Sequence, residues 1–291
     1  MDVNEKAKQL LEAGTVQAVA GFQTGTRGVR RPVFIRRAED TGRLVFDPGC
    51  RHNLAQYATR TPVKRLGRLA LTLRPSGIRA LLQLMAERQI QEPDVLALAV
   101  DPDGQVTELA TAEAMEAHLA LTADPVPADD QALLDRLDRM TRAERWGFWQ
   151  NELSRCIKCY ACRSSCPMCY CGQCTMDCNR PQWVPPPSHG LGNLEYHMVR
   201  AMHLAGRCVR CGDCGRACPV GIPIHLLTFH TEAAVQAQFG QRAGASAKLD
   251  YALSTFRPDD QETFIRYVAP HGKPVSAFFH VPGRPVRRPP G

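Results

Sequence analysis

Twelve of the 13 cysteines lie between positions 156 and 218, and eight of these fall in two runs of one pattern. The first reads Cys156-Ile-Lys-Cys159-Tyr-Ala-Cys162-Arg-Ser-Ser-Cys166-Pro167, the second Cys208-Val-Arg-Cys211-Gly-Asp-Cys214-Gly-Arg-Ala-Cys218-Pro219. Gaps of two, two and three residues, closed by proline, are the bacterial ferredoxin spacing for [4Fe-4S] ligation. Three close thiolates wrap one corner of a cubane, and the fourth reaches the other cluster. This assigns Cys156, Cys159, Cys162 and Cys218 to one cluster, and Cys166, Cys208, Cys211 and Cys214 to a second. Pro167 and Pro219 turn the chain away from each centre. Gly212 and Gly215 are expected to let the backbone approach a cluster and donate amide hydrogen bonds. Zinc sites use cysteine pairs with longer gaps, which fits two complete copies poorly.

Four more thiols follow at once: Cys169, Cys171, Cys174 and Cys178. Free thiols so crowded invite oxidation. The expected reading is a third four-thiolate site, another cluster in preference to zinc. The alternative is that some of them are buried small apolar residues. His197, His203, His225 and His230 lie beside the motifs and read as packing or surface residues rather than ligands. Arg200 and Arg207 either offset cluster charge or lie in solvent. Cys50 stands alone in Phe46-Asp-Pro-Gly-Cys50-Arg-His-Asn-Leu54. It reads as a buried structural cysteine, the alternative being a thiol activated at a helix N-terminus.

The elements that must hold these residues are legible in outline. The fold class is α+β: a small N-terminal α/β domain, then a helical ferredoxin-like domain with an inserted cysteine-rich segment. The expected divisions are 1–121 for the α/β domain, 122–154 for a linker and helix, 155–240 for the iron–sulfur domain and 241–291 for a C-terminal extension with a flexible end. In the first part, helices are expected at residues 4–13, 52–59 and 78–88. Strands are expected at 16–22, 32–36, 43–46, 69–73 and 94–100. The strand–helix–strand over 69–100 suggests a parallel pair. Residues 131–153 read as one helix, with Trp146, Phe148 and Trp149 as core or cluster-shielding aromatics. Further helices are expected over 193–205 and 224–239.

Composition excludes some classes. No run approaches the roughly 20 apolar residues of a membrane span. The charged, helical N-terminus lacks the apolar core of a signal peptide, so the cytoplasm is the default compartment. Cysteines packed into one segment argue for metal ligation over a disulfide scaffold. The net charge is +7, but no basic stripe with interleaved aromatics indicates nucleic acid. Clusters of about −2 each would cancel much of that charge. A Gly-x-Gly-x-x-Gly fingerprint is absent, and Gly25 and Gly28 alone are weak evidence for phosphate binding.

The cysteine segments, with Cys156–Cys174 and His203–Cys214 foremost, resemble the coenzyme F420 hydrogenase and formate dehydrogenase beta-subunit family. The resemblance extends to Phe46–Leu54 and to Phe256–Asp260. It implies a subunit of a larger redox assembly, beside a hydrogenase, a formate dehydrogenase or a heterodisulfide-reductase-like protein in anaerobes. Some members bind FAD and reduce a deazaflavin; others only relay electrons. Relatives carry Gly-Cys-Asp where this chain has Leu73–Ala80, and a further cysteine in the segment matching Ala99–Gly104. Both cysteines are missing here, which favours relay over catalysis. The expectation is an electron-transfer subunit with two [4Fe-4S] clusters. The alternative is an FAD-containing oxidoreductase subunit that performs hydride transfer. A zinc-stabilised interaction module is a third reading.

Overall fold

In the computed structural model, residues 1–174, 176 and 182–248 are described. Cys178, the segment 256–260 and the Pro/Arg-rich tail lie outside them. A five-stranded mixed sheet forms from β1 (Ala18–Thr24), β2 (Arg30–Ile35), β3 (Leu69–Leu73), β4 (Val95–Val100) and β5 (Val106–Leu109), in the order β2-β1-β3-β4-β5. β1, β3 and β4 run parallel to their neighbours in the centre; β2 and β5 pair antiparallel at the edges. The central strands β3 (LALTL) and β4 (VLALAV) are buried at every position, as continuous apolar runs covered on both faces must be. Pro32 is accommodated because β2 is an edge.

Alternation along the strands separates two cores. Val19, Ala70, Leu96 and Leu98 face Val3, Ala7 and Leu10 of α1 (Val3–Glu12). Ala18, Ala20, Leu71, Ala97 and Ala99 face the opposite side. A one-turn helix, α2 (Thr61–Lys64), precedes β3. On the far face lie α3 (Pro75–Ala86) and α4 (Ala112–Leu121). α3 is buried almost all round, including Arg79 and Gln83. A helix apolar on all sides needs cover on all sides, and the cysteine-bearing half supplies it: Met168, Leu204 and Val209 join the same core as Leu81 and Leu84. All described residues thus belong to one compact unit.

The segment read as one helix over 131–153 is two, α5 (Ala128–Arg139) and α6 (Arg142–Ser154). The break is a capping box: the Thr141 hydroxyl accepts from the Glu144 N–H, and the Glu144 carboxylate accepts from the Thr141 N–H at 2.8 Å. Trp149 is buried in a second core with Leu137, Leu153 and Tyr196, while Trp146 is 48% exposed and so is no core residue. Residues 43–46 form no strand, only an isolated bridge between Val45 and Phe22. Within 52–59 a 3-10 turn, Leu54–Tyr57, stands where a longer helix was expected. β5 and α4 were not anticipated.

α7 (Ala161–Ser164) and α9 (Asp213–Arg216) are single turns inside the cysteine motifs. α8 (Gly190–His203) lies between the motifs, and α10 (His225–Phe239) follows the second. Among the described residues no helix is long and apolar enough to cross a membrane.

Candidate functional site: two matched thiol loops around α8

The two motifs fold alike. Each begins at a helix end: Cys156 follows α6, and Cys208 follows α8. Each carries left-handed residues two and four positions beyond its first cysteine. These are Lys158 (φ 51°) and Tyr160 (φ 58°) in the first loop, Arg210 (φ 58°) and Gly212 (φ 76°) in the second. Each then enters a one-turn helix holding the third cysteine. Left-handed geometry costs a non-glycine residue about 1–2 kcal/mol. Three such residues at matching positions mean that both loops are forced into one shape. That shape aims amides at sulfur: the Lys158 N–H donates to Cys156 Sγ at 3.3 Å, and the Arg210 N–H donates to the Cys208 thiol. The Ile222 N–H donates to Cys218 Sγ at 3.3 Å, and the Asp213 N–H to the Cys211 thiol.

Cys156, Cys159 and Cys162 of the first motif line one cavity with Cys218 of the second. Tyr196, Ile222 and Ile224 close it with apolar surface. Cys166 leaves its own loop and packs on the core that Cys208 and Cys211 also touch, close enough to Cys211 to feel its charge. Cys214 is buried beside Cys208. Burial pushes the thiols of Cys156, Cys162, Cys208 and Cys211 up, and Cys214 to about 12. Thiols so desolvated become thiolates only against a cationic partner. Among the described residues, no three His, Cys, Asp or Glu side chains converge to hold one metal ion. The first set rings a cavity instead. A donor set of four thiols, aimed amides and an apolar lid fits a multi-iron cluster.

α8 supplies an inward polar stripe at positions 193, 196, 197 and 200, all buried. Asn193 Nδ2 donates to the Cys156 carbonyl at 2.8 Å, and the Tyr196 hydroxyl is 3.8 Å from Cys162 Sγ. His197 Nε2 lies 3.2 Å from Cys156 Sγ. Burial, with Arg200 and Lys158 nearby, pulls its imidazole down to about 3, so the ring is neutral, and in its Nε2–H tautomer it can donate to Cys156 Sγ. His197 is thus buried, as the packing reading expects, and in hydrogen-bond contact with a candidate ligand. Sequence carried a signal for it, since the 193/196/197/200 stripe has helical spacing.

His197→Leu should keep the first cluster but lower its midpoint potential by on the order of tens of millivolts, because hydrogen bonds to sulfur stabilise the reduced state. His197→Gln, which retains an N–H donor, should recover part of the shift in an EPR-monitored redox titration. Equal potentials in all three proteins would deny His197 this role.

Arg200, 4% exposed, donates from Nη2 to the Cys162 carbonyl at 3.0 Å. Its guanidinium is near Cys162, Cys166, Cys169 and Cys214. It is thus a buried cation beside both thiol sets, not the solvent-exposed residue of the alternative reading. Arg207 instead binds Glu87 (Nε–Oε1 2.7 Å). His203 and His230 are exposed. His225 packs, its Nε2 donating to Asp130 Oδ1 at 2.8 Å. Its ring explains Gly215, where a Cβ would collide with the imidazole. Gly215→Ala should cost about 1–3 kcal/mol by overpacking. Gly42→Ala, with open space around its Cβ, should change stability by under about 0.5 kcal/mol. Anaerobic denaturant titration compares the two.

Cys50 is buried, accepts from the Asp47 N–H at 3.4 Å and is pushed up by burial. It caps no helix, so the activated-thiol alternative loses its premise. The sequence did not reveal Asp213, which is buried between Cys211 and Cys214. It accepts from the Asn53 N–H at 2.7 Å and lies 3.1 Å from His52 Nδ1. Of the extra thiols, Cys169, Cys171 and Cys174 line a second cavity with Arg200 and Arg207.

No family model matches the chain. It is 30% identical over 104 residues to "F420-dependent formate dehydrogenase subunit beta" of Methanocaldococcus jannaschii. It is 33% identical over 107 residues to "F420-dependent formate dehydrogenase 1 subunit beta" of Methanococcus maripaludis. These matches take in 35% and 36% of this chain, and the chain covers 26% of the length of each relative. Over that third of its length, the chain is similar to the beta subunits these two names describe.

Proposed function

We propose that the chain is an electron-transfer subunit of a formate-dehydrogenase-type redox complex, holding two [4Fe-4S] clusters crosswise. Cys156, Cys159, Cys162 and Cys218 would hold the first cluster, and Cys208, Cys211, Cys214 and Cys166 the second. The observation that carries this reading is the exchange of fourth cysteines: Cys218 lines the cavity of the first loop, and Cys166 joins the second. When bound, such clusters accept and release single electrons without moving substrate atoms. The chain's own residues do the rest. The matched loops fix the thiols, the amides of Lys158 and Ile222 and the His197 ring donate to sulfur, and Arg200 places a positive charge between the sets. Tyr196, Ile222 and Ile224 keep water from the first centre.

Cys159 is exposed, whereas none of Cys166, Cys208, Cys211 and Cys214 is. The first cluster would therefore be the one nearer an external donor or acceptor. The partners would be other subunits of the formate-oxidising assembly.

Anaerobic purification with iron, sulfide and flavin counts tests the reading, alongside identification of co-purifying subunits. About eight irons and eight sulfides per chain, no flavin and a dehydrogenase partner are expected. Colourless, iron-free protein, or a stoichiometric flavin reduced by formate in this chain alone, would defeat it.

A further inference from the structure

Each thiol loop carries a cation at its third position, Lys158 in the first and Arg210 in the second, both in the left-handed region (φ 51° and 58°). Their surroundings differ. Lys158 is buried, and its ammonium donates to the Pro185 carbonyl. Among the described residues, no carboxylate lies within ion-pair distance of it. Arg210 Nε, by contrast, lies 3.5 Å from Oε2 of Glu232 on α10, which is 1% exposed. Among the described residues, neither oxygen of that carboxylate accepts a hydrogen bond. A buried carboxylate held by charge alone costs more than an apolar side chain of similar volume, so packing does not account for Glu232. The acid within the second loop, Asp213, is neutralised by Arg216, and the equivalent position of the first loop is Ala161. The third-position cation is thus uncompensated in the first loop and cancelled in the second.

We propose that Glu232 sets the order of the two potentials: by cancelling Arg210 it makes the second cluster the lower one, so that electrons fall from the second to the first and leave past Cys159 to an acceptor. The inference rests on the two-cluster reading and deepens it by giving the relay a direction. Reduction adds one negative charge to a centre. That charge is favoured beside an uncompensated cation and gains little beside a cancelled one, and buried charges are only weakly screened. Arg200 lies beside both thiol sets and shifts both potentials alike. Exposure acts in the same sense as Lys158, since Cys159 is exposed and solvent steadies the reduced state of the first centre. The step is balanced by one electron: the second centre is oxidised as the first is reduced, and no bond or proton moves. The partner that meets Cys159 is then a one-electron acceptor, and electrons from formate enter at the second centre.

The test is an EPR-monitored redox titration of the full chain, purified anaerobically, with signals assigned from Cys156→Ala and Cys208→Ala. In the unaltered protein the first cluster should be reduced at the higher potential. In Glu232→Gln, the ratio of reduced to oxidised second cluster at a fixed potential should rise several-fold, with the first cluster unmoved. Glu232→Asp keeps the charge and should titrate close to the unaltered protein. Lys158→Gln should lower the first potential, and Lys158→Arg should restore it. A second cluster of higher potential in the unaltered protein would overturn the proposal, as would equal shifts in Glu232→Gln and Glu232→Asp, which mark a purely structural role. Should Glu232→Gln lose its second cluster, the order of potentials in the unaltered protein and the Lys158 pair still decide. Failure of the two-cluster reading looks different: iron would then be missing from the unaltered protein.

Discussion

Cys218→Ala should empty the cluster of the first loop although Cys218 belongs to the second motif. The expected iron content falls from about eight to about four per chain, with sulfide in step. The physical ground is that Cys218 lines the cavity of Cys156, Cys159 and Cys162 and is among the charges felt at Cys156. Its sulfur also holds the Ile222 N–H at 3.3 Å, and Ile222 is part of the apolar lid. Removing the thiol therefore takes away one ligand and loosens the cover of the same centre. Because metal binding contributes directly to the stability of the loops it organises, unfolding should also move to lower denaturant. Cys156→Ala and Cys208→Ala serve as references. The residual EPR signal of Cys218→Ala should match that of Cys156→Ala. A match to Cys208→Ala would mean that each motif keeps its own fourth cysteine, and the crosswise arrangement would be wrong.

The parts of this arrangement legible in the sequence are those carried by local spacing. The eight motif cysteines stand out because their gaps repeat, and the structure folds both runs into matching loops. β3 and β4 announce themselves because doubly covered strands read as unbroken apolar runs. α3 is found for a related reason, though its burial on all sides only makes sense once the cysteine half packs on it. The break between α5 and α6 was also written locally, in Thr141 and Glu144, but the long apolar pattern on both sides masked it. What local pattern could not give is pairing at a distance. Spacing puts His197 on one helix face with Asn193, Tyr196 and Arg200, but nothing in a helix says what that face will meet. Asp213 meets His52 and Asn53 from about 160 positions away. Arg200 and Arg207 have the same composition and opposite fates: one is buried between the thiol sets, the other is pinned to Glu87.

Glu87→Ala should cost about 3–5 kcal/mol, the loss expected when one partner of a buried ion pair is removed. Glu87 caps the C-terminal end of α3 and is buried. Its Oε1 accepts from Arg207 Nε at 2.7 Å and from Gln83 Nε2 at 2.8 Å. Its Oε2 accepts from Arg207 Nη2 and from the Tyr170 hydroxyl, each at 2.5 Å. Arg207 immediately precedes Cys208, and Tyr170 immediately follows Cys169. One carboxylate on the sheet-bearing half thus ties down residues beside both sets of thiols. Burial alone would push this carboxyl up, but the bonds and charge of Arg207, with Tyr170 and Gln83, hold it below the ordinary glutamate range. A carboxyl depressed in the folded state stabilises above its unfolded value and loses that contribution as pH falls through the folded one. At neutral pH the contribution is fully present, and the mutant effect should be at its maximum there. Glu87→Gln, which can still accept at Oε1, should cost about 1–2 kcal/mol, the net worth of neutral bonds. Tyr170→Phe removes one bond to a charged acceptor and should cost about 1.5–3 kcal/mol. Chelator-driven iron release should follow the same order, fastest in Glu87→Ala. Stability lost without faster release would show that this carboxylate joins the halves of the fold but does not steady the thiol loops.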